Sequence, residues 1–205
     1  MALATASPAK AEPLNILAFG DSLTAGLGLP ETESFASKLE TALRARGHDV
    51  VIVNSGVSGD TTSDGAARLD WSVTDDIGAV IVEFGGNDAL RGIDPKITRE
   101  ALDRILTGLA EKRLPVLLAG MYAPRNLGTQ YAEAFDPIYG DLAAQHDVLL
   151  YPFFLDGIAG RAPLNQPDGV HPTSAGVDVI VERITPAVEE LIVKATGEPL
   201  GSSVN

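Results

Sequence analysis

The sequence predicts one three-layer α/β/α domain, residues 14 to 195 of 205, built around a parallel sheet. Two observations carry this. Five short runs are apolar at nearly every position rather than every second one, the mark of strands buried on both faces. They alternate with stretches whose apolar residues recur at helical spacing, and a repeated strand–helix order puts helices on both faces of a parallel sheet. Length agrees, because a single core stays efficient up to roughly 250–300 residues.

Residues 1–13, MALATASPAKAEP, are small and Ala/Pro-rich like the cleavage end of an export signal, without its basic start and apolar stretch. They read as a flexible leader or the remnant of a trimmed signal. A remnant implies a periplasmic or secreted protein; otherwise the expected location is cytoplasmic. The first strand is LNILAF, and Phe35, Leu39, Ala42 and Leu43 form the apolar stripe of the helix behind it. DVVIVN is the second strand and AVIVEF the third. Asp94-Pro95 then opens a helix, the acid as cap and the proline at the first helical position, with Ile97, Ala101, Ile105 and Leu109 facing inward. PVLLAGM is the fourth strand, followed by a helical pattern through Tyr131, Phe135, Ile138 and Leu142. The shorter VLLYPFF precedes a last helix carrying Val177, Val181, Ile184, Val188 and Leu191, and residues 196–205 form a flexible tail.

Composition narrows the function. The formal net charge of −13 repels phosphate backbones, so nucleic acid is not an expected partner. No apolar run approaches the roughly 20 residues of a membrane span, so stable membrane insertion is not expected either. The absence of cysteine removes disulfides, thiolate metal sites and a cysteine nucleophile.

In doubly wound sheets, ligands gather at the carboxyl ends of the strands. The turns expected there are GDSLTAG (20–26), NSGVSGDTT (54–62), GGND (85–88) and MYAPRN (121–126), joined by a late loop, DGVHP (168–172). Of the three histidines, His48 and His146 each lie between a helix end and a strand start, where a solvated or helix-capping role is expected. His171 differs: Asp168 precedes it by three residues and Pro172 restricts the backbone behind it. A turn of that kind folds the carboxylate onto the imidazole, fixing its tautomer and leaving the other nitrogen as a general base. Ser22, on the same sheet edge, is a hydroxyl such a base can activate. An oxyanion formed there needs donors, and the Ser22 N–H, the Gly59 N–H and the Asn87 amide are available. Read singly, Gly59 is also a turn glycine, Asn87 an Asx-turn and DGVHP a polar loop.

In this order and at these places, GDSL (20–23), SGDT (58–61), GGND (85–88) and DGVHP (168–172) resemble the blocks of the SGNH (GDSL) hydrolase superfamily over nearly the whole domain. VEFGGNDALRG and YAEAFDPIY are most similar to its bacterial arylesterase, acyl-CoA thioesterase and lysophospholipase branch. The resemblance implies a five-stranded, flavodoxin-like sheet and a serine esterase with no cofactor and no metal. It makes Ser22 the nucleophile, Asp168 and His171 the rest of the triad, and Ser22, Gly59 and Asn87 the oxyanion hole. Asp21 is then structural, its carboxylate bonded to backbone N–H groups of neighbouring loops. Glu83 is a strand carboxylate that needs hydrogen-bonded partners.

Expected substrates are neutral carboxylic esters, aryl and short-to-medium acyl, with thioesters and lysophospholipids as further classes; the acidic surface disfavours polyanionic coenzyme A esters. Leu27, Leu29, Leu90, Met121, Tyr122 and Phe154 flank the catalytic loops and are candidates to border the acyl group. Arg91 and Arg125 lie nearest the mouth, where pairing with surface acids is the expected fate. Two rival readings remain. One is a flavin- or nucleotide-binding module, against which Asp21 would repel phosphate and no P-loop lysine is present. The other is a metallohydrolase using Asp21, Asp60, Asp64, Asp88, Asp168 and His171, which lacks paired-histidine spacing.

Overall fold

The computed structural model describes residues 12–197, so the expected leader and tail fall almost wholly outside the described residues. In chain order the elements are β1 (Leu14–Gly20), α1 (Ser22–Ala25), α2 (Phe35–Ala45), β2 (Val50–Gly56), α3 (Thr62–Ser72), β3 (Ile77–Glu83), α4 (Gly86–Leu90), α5 (Pro95–Glu111), β4 (Val116–Ala119), α6 (Thr129–Phe135), α7 (Ile138–His146), β5 (Leu149–Tyr151) and α8 (Ser174–Thr196). The five strands are all parallel and lie in the order β2-β1-β3-β4-β5. Helix α2 packs on α8, and α5 packs on α3 and α7, giving the two outer layers. This is the three-layer parallel arrangement that the order of elements predicts and the flavodoxin-like sheet that the family resemblance implies. Its topological switch point lies between β1 and β3, where successive connections leave on opposite faces and open a crevice.

The core follows the apolar runs. Ile16 to Phe19 of β1, Ala79 to Val82 of β3 and the whole of β4 are buried, whereas β5, a three-residue edge strand, is half-buried. Two helices differ from their sequence patterns. The buried face of α5 starts at Thr98 and continues through Ala101, Leu102, Ile105, Leu106 and Leu109, leaving Ile97 exposed. Thr98 turns inward because its hydroxyl donates to Asp88. The pattern from Tyr131 to Leu142 is two helices, since Pro137 between them has no N–H to continue the ladder.

His48 and His146 lie at the amino ends of the strands, far along the sheet from Ser22. Neither is simply solvated: His48 Nε2 is 3.1 Å from Glu189 Oε1 and His146 Nε2 is 2.7 Å from Asp103 Oδ1. Each ring ties a strand entrance to a neighbouring helix, because both are half-buried beside a carboxylate.

At the carboxyl ends, β1, β2 and β3 finish level, with Gly20 opposite both Gly56 and Glu83. Arg68 of α3 binds this edge from below. Its side chain is nearly buried. Nε donates to Asp60 at 2.7 Å, Nη2 to the Gly20 and Ser55 carbonyls at 2.9 Å, and Nη1 to the Ser55 and Ser72 hydroxyls. The guanidinium also stacks 4.4 Å from the Phe19 ring centre, itself edge-on to Phe84. One planar cation therefore fixes the ends of β1 and β2 and the loop behind them, a task suited to the arginine fork.

Arg68→Met leaves Asp60 without its buried partner and is expected to destabilise the fold by about 3–5 kcal/mol in urea unfolding at neutral pH. Arg68→Lys should recover only a minor part, because an ammonium cannot span these acceptors. A loss below about 1 kcal/mol, the worth of an exposed pair, would contradict this role.

Candidate active site

Strand β1 ends at Gly20, and Asp21 caps the single turn of α1 by accepting the Leu23 N–H at Oδ1 over 2.9 Å. Ser22 is thereby the first helical residue, nearly buried at the edge of the sheet. Its Oγ lies 2.9 Å from His171 Nε2, and His171 Nδ1 lies 2.7 Å from Asp168 Oδ2. With the Nδ1 proton donated to Asp168, the Nε2 lone pair accepts the Ser22 hydroxyl. Asp168 Oδ1 accepts the backbone N–H groups of Val170 and His171 at 2.9 and 3.0 Å. The His171 ring proton first, and then these two amides, hold the Asp168 carboxyl down at about 2. The three-residue spacing thus makes the compact carboxylate–imidazole turn that the sequence predicts.

That turn is tied to the nucleophile side by Gln166, which sequence reasoning did not single out. Its Nε2 donates to the Leu27 carbonyl at 2.7 Å and the Pro172 carbonyl at 2.9 Å, while its N–H donates to the His171 carbonyl at 2.7 Å. Asn165 extends the brace with a donation to the Ile158 carbonyl. A glutamine two residues before Asp168 carries no signal in sequence, because the partner that ties it to the other loop, the Leu27 carbonyl, is 139 residues away.

The backbone N–H groups of Ser22 and Gly59 have no acceptor among the described residues. Gly59 is at φ +91°, a left-handed conformation that favours glycine, and its carbonyl accepts from Arg91 Nη2 at 2.8 Å. Asn87 departs from the expectation of a free amide. Its Nδ2 donates to Asp21 Oδ2 and to the Asp60 carbonyl, each at 3.0 Å, so both protons are engaged. The reason is Asp21, fully buried, whose second oxygen needs a donor. Asp21 accepts one backbone N–H of its own turn and one side-chain amide, rather than N–H groups of neighbouring loops. Burial raises its carboxyl to about 6, against the lowering effect of Leu23, Asn87 and the nearby His171.

The other loop acids have partners of their own. Asp60 pairs with Arg68, Asp64 forms a capping box with Thr61, and Asp88 accepts from Thr62 and Thr98. Among the described residues no group of three or more His, Asp or Glu side chains could hold a metal ion. Arg125 pairs with Asp136 at 2.8 Å, as expected of a surface arginine, whereas Arg91 has no carboxylate at ion-pair distance among the described residues.

The six candidate acyl-site residues divide. Leu27, Leu90 and Tyr122 are exposed and Leu29 is half-buried. Met121 is buried, and Phe154 is wholly so, its ring edge-on to Phe35 at 5.1 Å. Phe154 is therefore packed as a core residue in this structure.

These features have counterparts in known proteins. The pattern of the GDSL-like Lipase/Acylhydrolase family matches residues 18–179. The chain is 37% identical to esterase TesA of Pseudomonas aeruginosa over 178 residues, 86% of this chain and 89% of that protein. It is 34% identical to thioesterase 1/protease 1/lysophospholipase L1 of Escherichia coli over 193 residues, 94% of this chain and 90% of that one. Among solved structures it superposes on AlinE4, an SGNH-hydrolase family esterase, with a TM-score of 0.75 and 48% identity, covering 89% of this chain and 98% of the other. The five-stranded sheet, the ordered motif loops and these similarities agree: this chain belongs to the GDSL-like lipase/acylhydrolase family of SGNH hydrolases.

Proposed function

We propose that the protein hydrolyses carboxylic esters through an acyl-enzyme formed on Ser22. The observation that carries this reading is the unbroken chain from Ser22 Oγ through His171 to Asp168, beside two backbone N–H groups with no acceptor. Ser22 Oγ attacks the ester carbonyl carbon as His171 Nε2 takes its proton. Asp168, ionised throughout the working range, stabilises the imidazolium. The Ser22 and Gly59 N–H groups receive the oxyanion, and Asn87 joins them by turning one proton away from Asp21 or Asp60. Collapse expels the alcohol, protonated by His171; water then attacks the acyl-enzyme with His171 again as base, and Ser22 is restored.

The substrates proposed are aryl esters and short-to-medium acyl esters. Support comes from the names of the relatives and from Leu27, Leu90 and Tyr122, apolar and open to solvent near the catalytic loops. Thioesters are also within this chemistry, with coenzyme A esters opposed by the net charge of −13. An exported location is part of the proposal, supported by the small-residue leader. No helix among the described residues is long and apolar enough to cross a membrane.

Hydrolysis of p-nitrophenyl esters from acetate to decanoate, with and without EDTA, tests the reading. Wild type should turn over equally in both conditions and Ser22→Ala should not; equal activity in the two proteins would refute Ser22 as nucleophile. Asp168→Asn should lose about 10⁴ in kcat, because the amide favours the wrong imidazole tautomer. Since Asp168 remains ionised down to about pH 2, any loss of kcat/KM above about pH 4 should not come from protonation of Asp168, and a loss traced to that carboxyl would contradict its role.

A further inference from the structure

One buried acid has no part in this mechanism. Glu83 is the last residue of β3, in register with Gly20 of β1, and is completely buried. Its Oε2 accepts the Thr24 hydroxyl at 2.8 Å, and the backbone N–H groups of Asp21 and Thr24 act favourably on the carboxyl's charge. These groups belong to the turn that bears Ser22: Asp21 immediately precedes the serine and Thr24 follows it by two. Gly20 makes the approach possible, since a Cβ there would lie 2.1 Å from Thr24 Oγ1 and 2.7 Å from Glu83 Oε2. The other oxygen, Oε1, is buried with no hydrogen-bond partner.

The surroundings decide its charge. Asp21 faces Glu83 from the β1–α1 turn, Asp88 lies nearby in α4, and Tyr139 of α7 spends its hydroxyl on the Phe84 carbonyl. Arg68 of α3 is committed to Asp60, Ser72, Gly20 and Ser55, and His171 faces Asp21. No cation is bonded to Glu83. Two carboxylates this close cannot both ionise cheaply. Asp21 has the Leu23 N–H, the Asn87 amide and the nearby imidazole to support a charge; Glu83 has an oxygen with no donor. Burial accordingly drives the Glu83 carboxyl well above the ordinary range, with the Asp21 charge adding to it. Protonation removes the uncompensated buried charge, while Oε2 keeps its bond from Thr24.

We propose that Glu83 is a positioning residue for Ser22 that works as a neutral carboxylic acid, holding the nucleophile turn through Oε2. Neutrality serves the reaction, because a second negative charge beneath Ser22 and Asn87 would oppose the oxyanion. The proposal rests on Ser22 as the nucleophile for its kinetic part only.

The test compares wild type, Glu83→Gln and Glu83→Leu by thermal unfolding at several pH values and by p-nitrophenyl acetate kinetics. A carboxyl raised in the folded state favours folding at low pH, and that contribution is lost as pH rises from the unfolded value through the folded one. Glutamine does not titrate, so the Tm of Glu83→Gln minus that of wild type should increase steadily from about pH 5 to 8. Glu83→Gln should keep kcat within about threefold, and Glu83→Leu should lose more than about tenfold in kcat with KM nearly unchanged. A Tm difference independent of pH, a Glu83→Gln protein that fails to fold, or a kcat loss as large for glutamine as for leucine would overturn the proposal. Should Glu83→Leu not fold, the glutamine variant alone decides. If wild type hydrolyses no ester, the functional reading fails, while the pH dependence of the Tm difference still reports the Glu83 proton.

Discussion

Buried negative charge at the carboxyl end of β1 is the constraint around which the site is arranged. Asp21, Glu83 and Asp88 are all out of solvent, and Asp60 is nearly so. A buried carboxylate is tolerated only when paired or supplied with hydrogen-bond donors. The only buried cation among them, Arg68, serves Asp60. The rest draw donors from other motif loops: Asn87 of GGND reaches Asp21 of GDSL, Thr62 of the second loop reaches Asp88 of the third, and Thr24 reaches Glu83. The need to satisfy each acid therefore binds the loops to one another. A glycine-rich sheet edge, flexible if its turns were independent, becomes a rigid platform for Ser22 and Gly59.

How much of this was legible in the sequence follows from how local each determinant is. Strands, helix order and the catalytic turn depend on neighbours a few residues away. The Asp168–His171 contact spans three positions, and the structure reproduces it. Arg68 and Gln166 were invisible because their meaning is tertiary: each looks like a polar residue on a helix or loop until a strand end or a loop from elsewhere presents its carbonyl. Ile97 and Thr98 show a subtler failure. A period of 3.6 fits either register, and a buried acid, Asp88, attracts the threonine inward at the isoleucine's expense. Phe154 makes a related point, since proximity in sequence to a motif loop does not reveal that the ring is wholly buried against Phe35.

In the proposed mechanism the arrangement also separates two demands placed on charge during acyl transfer: as Ser22 attacks, positive charge would develop on His171 and negative charge on the carbonyl oxygen. The imidazolium is met by Asp168, which lies half in solvent and is held ionised by ring and backbone donors. In the proposed mechanism the oxyanion is met by the Ser22 and Gly59 N–H dipoles. Asp21 stands between the two centres: its charge favours the imidazolium while it competes for a proton of Asn87 that the oxyanion requires. In the proposed mechanism the competition need not be costly, because the second Asn87 proton goes to the Asp60 carbonyl, a neutral acceptor that gives way more readily than a carboxylate. In that mechanism the proton that turns toward the oxyanion is the one on Asp60, and Asp21 goes on holding the amide plane in place.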